Sequence, residues 1–246
     1  MNLRSHKALI TGAGQGIGRA CAEVFASRGV DLVLLDKNGE TLEEAMRAAE
    51  ELGAEVTPIV LDLTESEALA KELERLQAGP LVDILVNNAG FDRPGILSKI
   101  DRKDFESVLA IQLTAPLLLM KCLLPAMRSA GWGRVINVSS IYGLIGAKGE
   151  IAYSTVKAGL IGLTKSVAKE AGQDGVTVNA VLPGLTRTPT IENFMAARYK
   201  EAIIKDTPLG RMAEPEEIAH AIAFLASEEA SFITAAVIPV SGGWGI

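Results

Sequence analysis

"TGAGQGIG", Thr11 to Gly18, is the stretch that decides the fold. It follows "KALIT" (7–11), a short apolar run of strand type, and opens into the amphipathic stretch "GRACAEVFASRG" (18–29). Gly12, Gly16 and Gly18 carry no Cβ, so the backbone can turn tightly and approach a pyrophosphate. A helix starting near Gly16 would aim free N–H groups and its positive end at that anion. A glycine turn needed only for close packing is the plainer alternative. The position between a strand and a helix favours dinucleotide binding, with Gly12, Gln15, Gly16, Ile17 and Gly18 as candidate contacts.

Outward from this turn, strand and helix patterns alternate to the last residues. "VDLVLLD" (30–36) is a near-continuous apolar run of the kind a parallel sheet buries on both faces. Helix "TLEEAMRAAEELG" (41–53), strand "EVTPIVLDL" (55–63), helix "ESEALAKELERLQ" (65–77) and strand "VDILVNNAG" (82–90) follow. A long helix over about 104–130 precedes strand "GRVINVSS" (133–140). A second, over about 152–171, precedes strand "VTVNAVLPG" (176–184). Helical segments over about 190–206 and 214–227 lead to the last strand, "AAVIPVSGG" (235–243). Seven strands with helical crossovers predict a doubly wound, seven-stranded parallel sheet, Rossmann-like, with helices on both faces. No linker or repeat divides residues 1–246, so one NAD(P)-binding domain is expected. Its only long excursion is an insertion at about 185–210, of the length that binding loops and lids have.

The bulk properties narrow the function. The 246 residues are 48 % hydrophobic and 22 % charged, with a net charge of −6. That balance is globular and lacks the basic face a nucleic-acid binder needs. The most apolar segment, "APLLLMKCLLPAM" (115–127), is broken by Lys121 and two prolines, so no membrane span is expected. The first residues run straight towards a strand, so no signal peptide is expected. Cys21 and Cys122 are the only cysteines, and His6 and His220 the only histidines. No disulfide framework or metal site is expected, neither histidine is given an acidic neighbour, and a reducing cytoplasm fits.

Two acids stand at strand ends. Asp36 lies twenty residues after Gly16, where a carboxylate can accept hydrogen bonds from an adenosine ribose and repel a 2′-phosphate. Gln15 supplies no positive charge there. Both favour NAD over NADP, and Lys37 is the dissenting residue. Asp62 is placed to bond an adenine amino group, or to cap the following helix. "NNAG" (87–90) ends another strand, and Asn88, Ala89 and Gly90 permit unusual backbone angles beside a cofactor.

"YSTVK" (153–157) puts Tyr153 and Lys157 on one helical face. A free tyrosine titrates near 10, too high for a base at neutrality, and an adjacent ammonium and an oxidised nicotinamide would both lower it. Taken together, these motifs resemble the short-chain dehydrogenase/reductase family in its compact single-domain branch. The resemblance rests on T-G-x-x-x-G-x-G at 11–18, "NNAG", Ser140 thirteen residues before the Y-x-x-x-K, "PG" at 183–184 and Thr188 beyond it. The resemblance implies that Tyr153 is the general acid/base, that Lys157 holds the nicotinamide ribose, and that Ser140 bonds the reacting oxygen. It also implies that Pro183, Gly184 and Thr188 line the nicotinamide, with Leu63 and Thr186 among the cofactor contacts. The family's long helix usually carries an asparagine of the proton relay; here Gln112 stands in its place, and an altered relay is expected. Phe91, Tyr142 and Phe194 are candidate substrate contacts on an apolar pocket rim. Pairing of the two long helices implies a homotetramer.

The leading expectation is an NAD-dependent oxidoreductase acting on a small carbonyl or secondary alcohol. A second is a 3-oxoacyl-carrier-protein reductase using NADPH, which Gln15, Asp36 and the acidic charge oppose. A third is a dinucleotide-binding regulator without turnover, which Gln112 slightly favours and the intact Ser140–Tyr153–Lys157 set opposes.

Overall fold

A computed structural model describes residues 3–246. Its frame is a seven-stranded, wholly parallel sheet in the order β3-β2-β1-β4-β5-β6-β7. In chain order the first half is β1 (Lys7–Thr11), α1 (Gly16–Ala26), β2 (Asp31–Asp36), α2 (Gly39–Glu51), β3 (Val56–Val60), α3 (Ser66–Ala78) and β4 (Ile84–Asn87). The second half is α4 (Arg102–Leu109), α5 (Ala115–Ala130), β5 (Gly133–Val138), α6 (Tyr142–Ile145), α7 (Ile151–Ala171), β6 (Val176–Pro183), α8 (Pro189–Phe194), α9 (Ala197–Asp206), α10 (Pro215–Leu225) and β7 (Val237–Val240). Alternation along β1 explains the two cores. Ala8 and Ile10 pack with α1, α2 and α10 on one face, while Leu9 packs with α3, α5 and α7 on the other. Sequence order reverses between β1 and β4, and ligands of open α/β sheets bind at the carboxyl ends of strands beside such a switch.

Local chemistry sets the element ends. The Asn38 side chain accepts from Glu40 N and Thr41 N and caps α2. Asp101 caps α4, and Glu214 with Glu217 forms a capping box on α10 behind Pro215. The sheet edge β3 tolerates Pro58 and stops at Val60, so Asp62 lies in the following loop, beyond the strand expected to carry it. The helical segment expected over about 190–206 is two helices, broken at Met195 and Ala196.

The long helix expected over about 104–130 has a π-helical turn at Ala110–Thr114, between α4 and α5. Pro116 gives the reason. It has no N–H for the Gln112 carbonyl, four residues back, and its ring crowds that oxygen. The wider turn absorbs the mismatch and carries Gln112 towards the sheet. The run Arg102–Ala130 is long and apolar enough to cross a membrane by length and composition alone. Half of its most apolar window is buried against the rest of the fold.

Candidate active site

One cleft opens at the carboxyl ends of β1, β2 and β4–β6, with a cavity of about 420 Å³. The glycine loop forms its floor. Gly12 and Gly16 have positive φ, 65° and 56°. A Cβ on Gly12 would stand 2.8 Å from the Ala89 Cα. Gln15 makes no side-chain cap, so the first N–H groups of α1 face the loop without a side-chain acceptor. Asn88 donates to the Thr11 and Gly12 carbonyls at 3.0 and 3.1 Å and ties the end of β4 to this loop. Thr188, the N-cap of α8, closes over Gly16 from the far side.

Gly18 departs from expectation. A Cβ there would stand 2.0 Å from the Gly12 oxygen, and the residue is buried away from the cleft. It allows α1 to pack on β1 and is not itself a wall of the site. The other predicted cofactor contacts, Gln15, Ile17, Asp36, Asp62, Leu63, Asn88, Ala89, Gly90, Pro183, Gly184, Thr186 and Thr188, do line the cleft. The Asp36 carboxylate accepts from Gly14 N at 2.9 Å and from Asn38 N at 3.0 Å. Asp62 accepts from the Thr64 backbone and hydroxyl. Burial alone would raise its carboxyl, and these two bonds win and hold it below the usual range. This shaped glycine cradle, a bare helix N-terminus and an acid at the ribose position fit a nicotinamide dinucleotide.

The reacting end is built by β5 and α7. Lys157 is 4 % exposed and its Nζ donates to the Val138 carbonyl at 2.8 Å. In return the Ser139 hydroxyl donates to the Lys157 carbonyl at 2.8 Å. Alternation along β5 therefore sends Ser139 to the helix and leaves Ser140 for the cleft, as expected. Ser140 and Tyr153 both line the cleft, the Ser140 hydroxyl close enough to favour the phenolate, and the Lys157 Nζ stands 5.3 Å from the Tyr153 ring centroid. Below them a buried ladder runs from Asn87 Nδ2 to Asn137 Oδ1, and from Asn137 Nδ2 to the Thr164 hydroxyl, both at 2.8 Å.

The electrostatics of the unliganded site differ from the sequence expectation. Burial pushes Tyr153 up to about 12, the Ser140 hydroxyl opposes the rise, and the charges of Asp92 and Glu150 add to it. Burial pulls Lys157 down to about 7. The pair by itself therefore does not produce a phenolate near neutrality. Any lowering of Tyr153 requires a further positive charge in the cleft.

Gln112 is 1 % exposed. Its Nε2 donates to the Phe91 carbonyl at 2.6 Å, and its Oε1, against Gly90 on the cleft wall, has no donor. The amide expected in a relay thus holds the loop after β4. Phe91 lines the cleft between two cations, with Arg93 4.7 Å and Lys37 5.9 Å from its ring centroid. Tyr142 lines it too, in edge contact with Trp244 at 5.4 Å. Phe194 does not: it ends the short helix α8 and is 84 % exposed, while Ile191 and Met195 turn inward. The sequence reading missed Trp244, which directly follows "SGG" (241–243), and Asp92, two residues past "NNAG" (87–90). It also gave His6 no acidic neighbour, yet the ring bonds Asp83 at 2.8 Å and stacks on Trp132, at the opposite end of the sheet. Among the described residues no cluster suited to a metal ion occurs.

Comparison with known proteins agrees with this geometry. The family model described as enoyl-(acyl carrier protein) reductase matches residues 12–245. A curated 3-oxoacyl-[acyl-carrier-protein] reductase of Thermotoga maritima is 37 % identical over 244 residues, covering 99 % of both chains. The enzyme of that name from Aquifex aeolicus is 40 % identical over 248 residues, covering 99 % of this chain and 98 % of its own. The solved structure of a candidate NAD(P) dependent gluconate 5-dehydrogenase from Beutenbergia cavernae, with bound NADP at low occupancy, superposes with a TM-score of 0.94. It is 33 % identical and covers 99 % of this chain and 98 % of that one. The fold and the site define an oxidoreductase that uses a nicotinamide dinucleotide. The chain belongs to the short-chain dehydrogenase/reductase family.

Proposed function

We propose that the protein is a carbonyl reductase of the 3-oxoacyl type, reducing the 3-ketone of an acyl thioester to the alcohol. The observation that supports the reaction is the convergence of Ser140, Tyr153 and Lys157 at the mouth of a dinucleotide cleft. Support for the substrate comes from the names of the full-length curated relatives, which favour the reading the sequence placed second. A nicotinamide dinucleotide supplies the hydride. Ser140 donates a hydrogen bond to the carbonyl oxygen, Tyr153 delivers the proton that completes the alcohol, and Lys157 steadies the phenolate left behind. Helices α8 and α9, within the insertion at 185–210, serve as a lid over the cleft, Ile191 and Met195 facing in.

The geometry favours NADH. Asp36 presents a carboxylate, fixed by two backbone donors, at the ribose position. Lys37 and the bound NADP of the Beutenbergia cavernae relative favour the second reading, NADPH. The exposed Leu117 of α5 and Leu144 and Ile145 of α6 support a homotetramer, which light scattering would read. The test of function is turnover of acetoacetyl-CoA with each dinucleotide. Wild type is expected to turn it over, and Tyr153→Phe to lose roughly 10²–10⁴-fold in kcat while still binding dinucleotide. No turnover by wild type, or equal turnover by Tyr153→Phe, refutes the reading.

A further inference from the structure

The substrate end of the cleft holds groups that hydride transfer does not use. Asp92 follows β4 and Glu150 immediately precedes α7. A backbone bond from Gly95 N to Gly149 O, 2.7 Å long, pins the two loops together. Both side chains are half-buried and line the cleft with Tyr142, Tyr153 and Trp244, and Glu150 meets the like charge of Asp92 there. Two carboxyl groups so placed favour a state in which they hold one proton between them. Burial, then Asp92, pushes Glu150 up to about 8.

No basic side chain among the described residues neutralises the pair. The Arg93 guanidinium is shared among Asp104, at 3.4 Å, the Asp92 backbone carbonyl, at 3.5 Å, and the Phe91 ring, with no ion pair to either carboxylate of the pair. Lys157 is spent on the Val138 carbonyl, and Lys148 is solvent-exposed with no ion pair to either acid. A separate observation has the same sign. Gln112, almost wholly buried, presents Oε1 at Gly90 on the same cleft wall with no donor, and Glu150 Oε2 is likewise without one. The Tyr142–Trp244 pair adds electron-rich ring faces.

We propose that this end of the cleft binds a protonated amine carried by the substrate, so that the enzyme selects amino ketones and amino alcohols over neutral and anionic analogues. The inference rests on the carbonyl-reductase reading but not on the thioester. The ammonium N–H donates to one carboxylate while its charge compensates both, and the proton the pair had shared leaves to solvent as Glu150 ionises. A carboxylate on the substrate would meet like charge and be rejected.

The experiment compares 5-(dimethylamino)pentan-2-one, 5-hydroxypentan-2-one and 4-oxopentanoate on the full chain, with whichever dinucleotide supports faster turnover. The amine is expected to exceed the hydroxy ketone by about tenfold in kcat/KM, through KM, with 4-oxopentanoate lowest. Glu150→Gln and Asp92→Asn, tested separately so that one misfolded variant is not decisive, should each collapse the amine-to-hydroxyl ratio. Calorimetry at pH 7 in buffers of differing ionisation enthalpy should find a proton released on binding the amine and none on binding the alcohol. Equal kcat/KM for amine and hydroxy ketone, or a ratio that survives both substitutions, overturns the proposal. If no ketone turns over, hydride transfer to ketones fails. The calorimetric arm then decides this inference alone: amine binding with proton release upholds it, and equal binding of amine and alcohol ends it.

Discussion

Asp36 and Lys37 are adjacent, and they pull cofactor choice in opposite directions. The carboxylate is held by Gly14 N and Asn38 N, whereas the exposed lysine reaches towards the Phe91 ring at 5.9 Å, a weak contact at an exposed site. A fixed charge outweighs a mobile one at the same spot, because the mobile side chain must be ordered before it contributes. Asp36→Asn keeps an acceptor of the same size and removes the charge. The ratio of kcat/KM for NADPH to that for NADH should rise by about tenfold or more, equivalent to roughly 1.4 kcal/mol. An unchanged ratio would show that Asp36 does not set the preference. At this scale the sequence was informative: the spacing of Asp36 from the glycines, and of Ser140 from Tyr153, already named the residues that line the cleft. On protonation it pointed the other way for the unliganded site, expecting the Lys157 ammonium to lower Tyr153. That Tyr153 lies near 12 and Lys157 near 7 depends on burial, which no spacing reveals.

The π-helical turn shows what an element adds to its residues. All seven strands were legible as apolar runs, since a parallel sheet buried on both faces needs them. The turn was not, because five residues at a wider pitch leave no periodic trace within a long apolar helix. Pro116 was its only local sign, and an interior proline announces a break or kink in a helix without saying which form it takes. Its consequence is the Gln112 contact with the Phe91 carbonyl. Gln112→Leu would leave that carbonyl without its donor, at about 1–3 kcal/mol. For a chain of this size that is a fall in Tm of roughly 2–12 °C by calorimetry. Gln112→Asn, one methylene shorter, should recover little of the loss if the role is to hold the loop. Full recovery of stability by Asn would show that reach to Phe91 is not what matters.

Across the whole molecule, the site joins segments that the sequence keeps far apart. Asp92, Glu150 and Trp244 share one wall of the cleft, yet nothing in their local patterns links them; the order of the sheet does. Their meeting has a global consequence that can be measured. The Glu150 carboxyl lies near 8 in the folded protein against an ordinary 4.5. Between those values the folded chain holds a proton that the unfolded chain has released, so this group's contribution is complete below about 4.5 and is lost as pH rises through 8. Lys157 acts in the other direction. Its value near 7, against an ordinary 10.5, makes the folded state lose stability as pH falls from 10.5 to 7. The two slopes oppose each other above pH 7, so the window that isolates Glu150 is pH 5 to 7. There the Tm of Glu150→Gln, which cannot ionise, should rise relative to wild type with increasing pH. The difference should be damped because the side chain is half exposed to solvent. Parallel Tm curves for the two proteins across that window would mean that Glu150 ionises freely and that the carboxyl pair holds no shared proton.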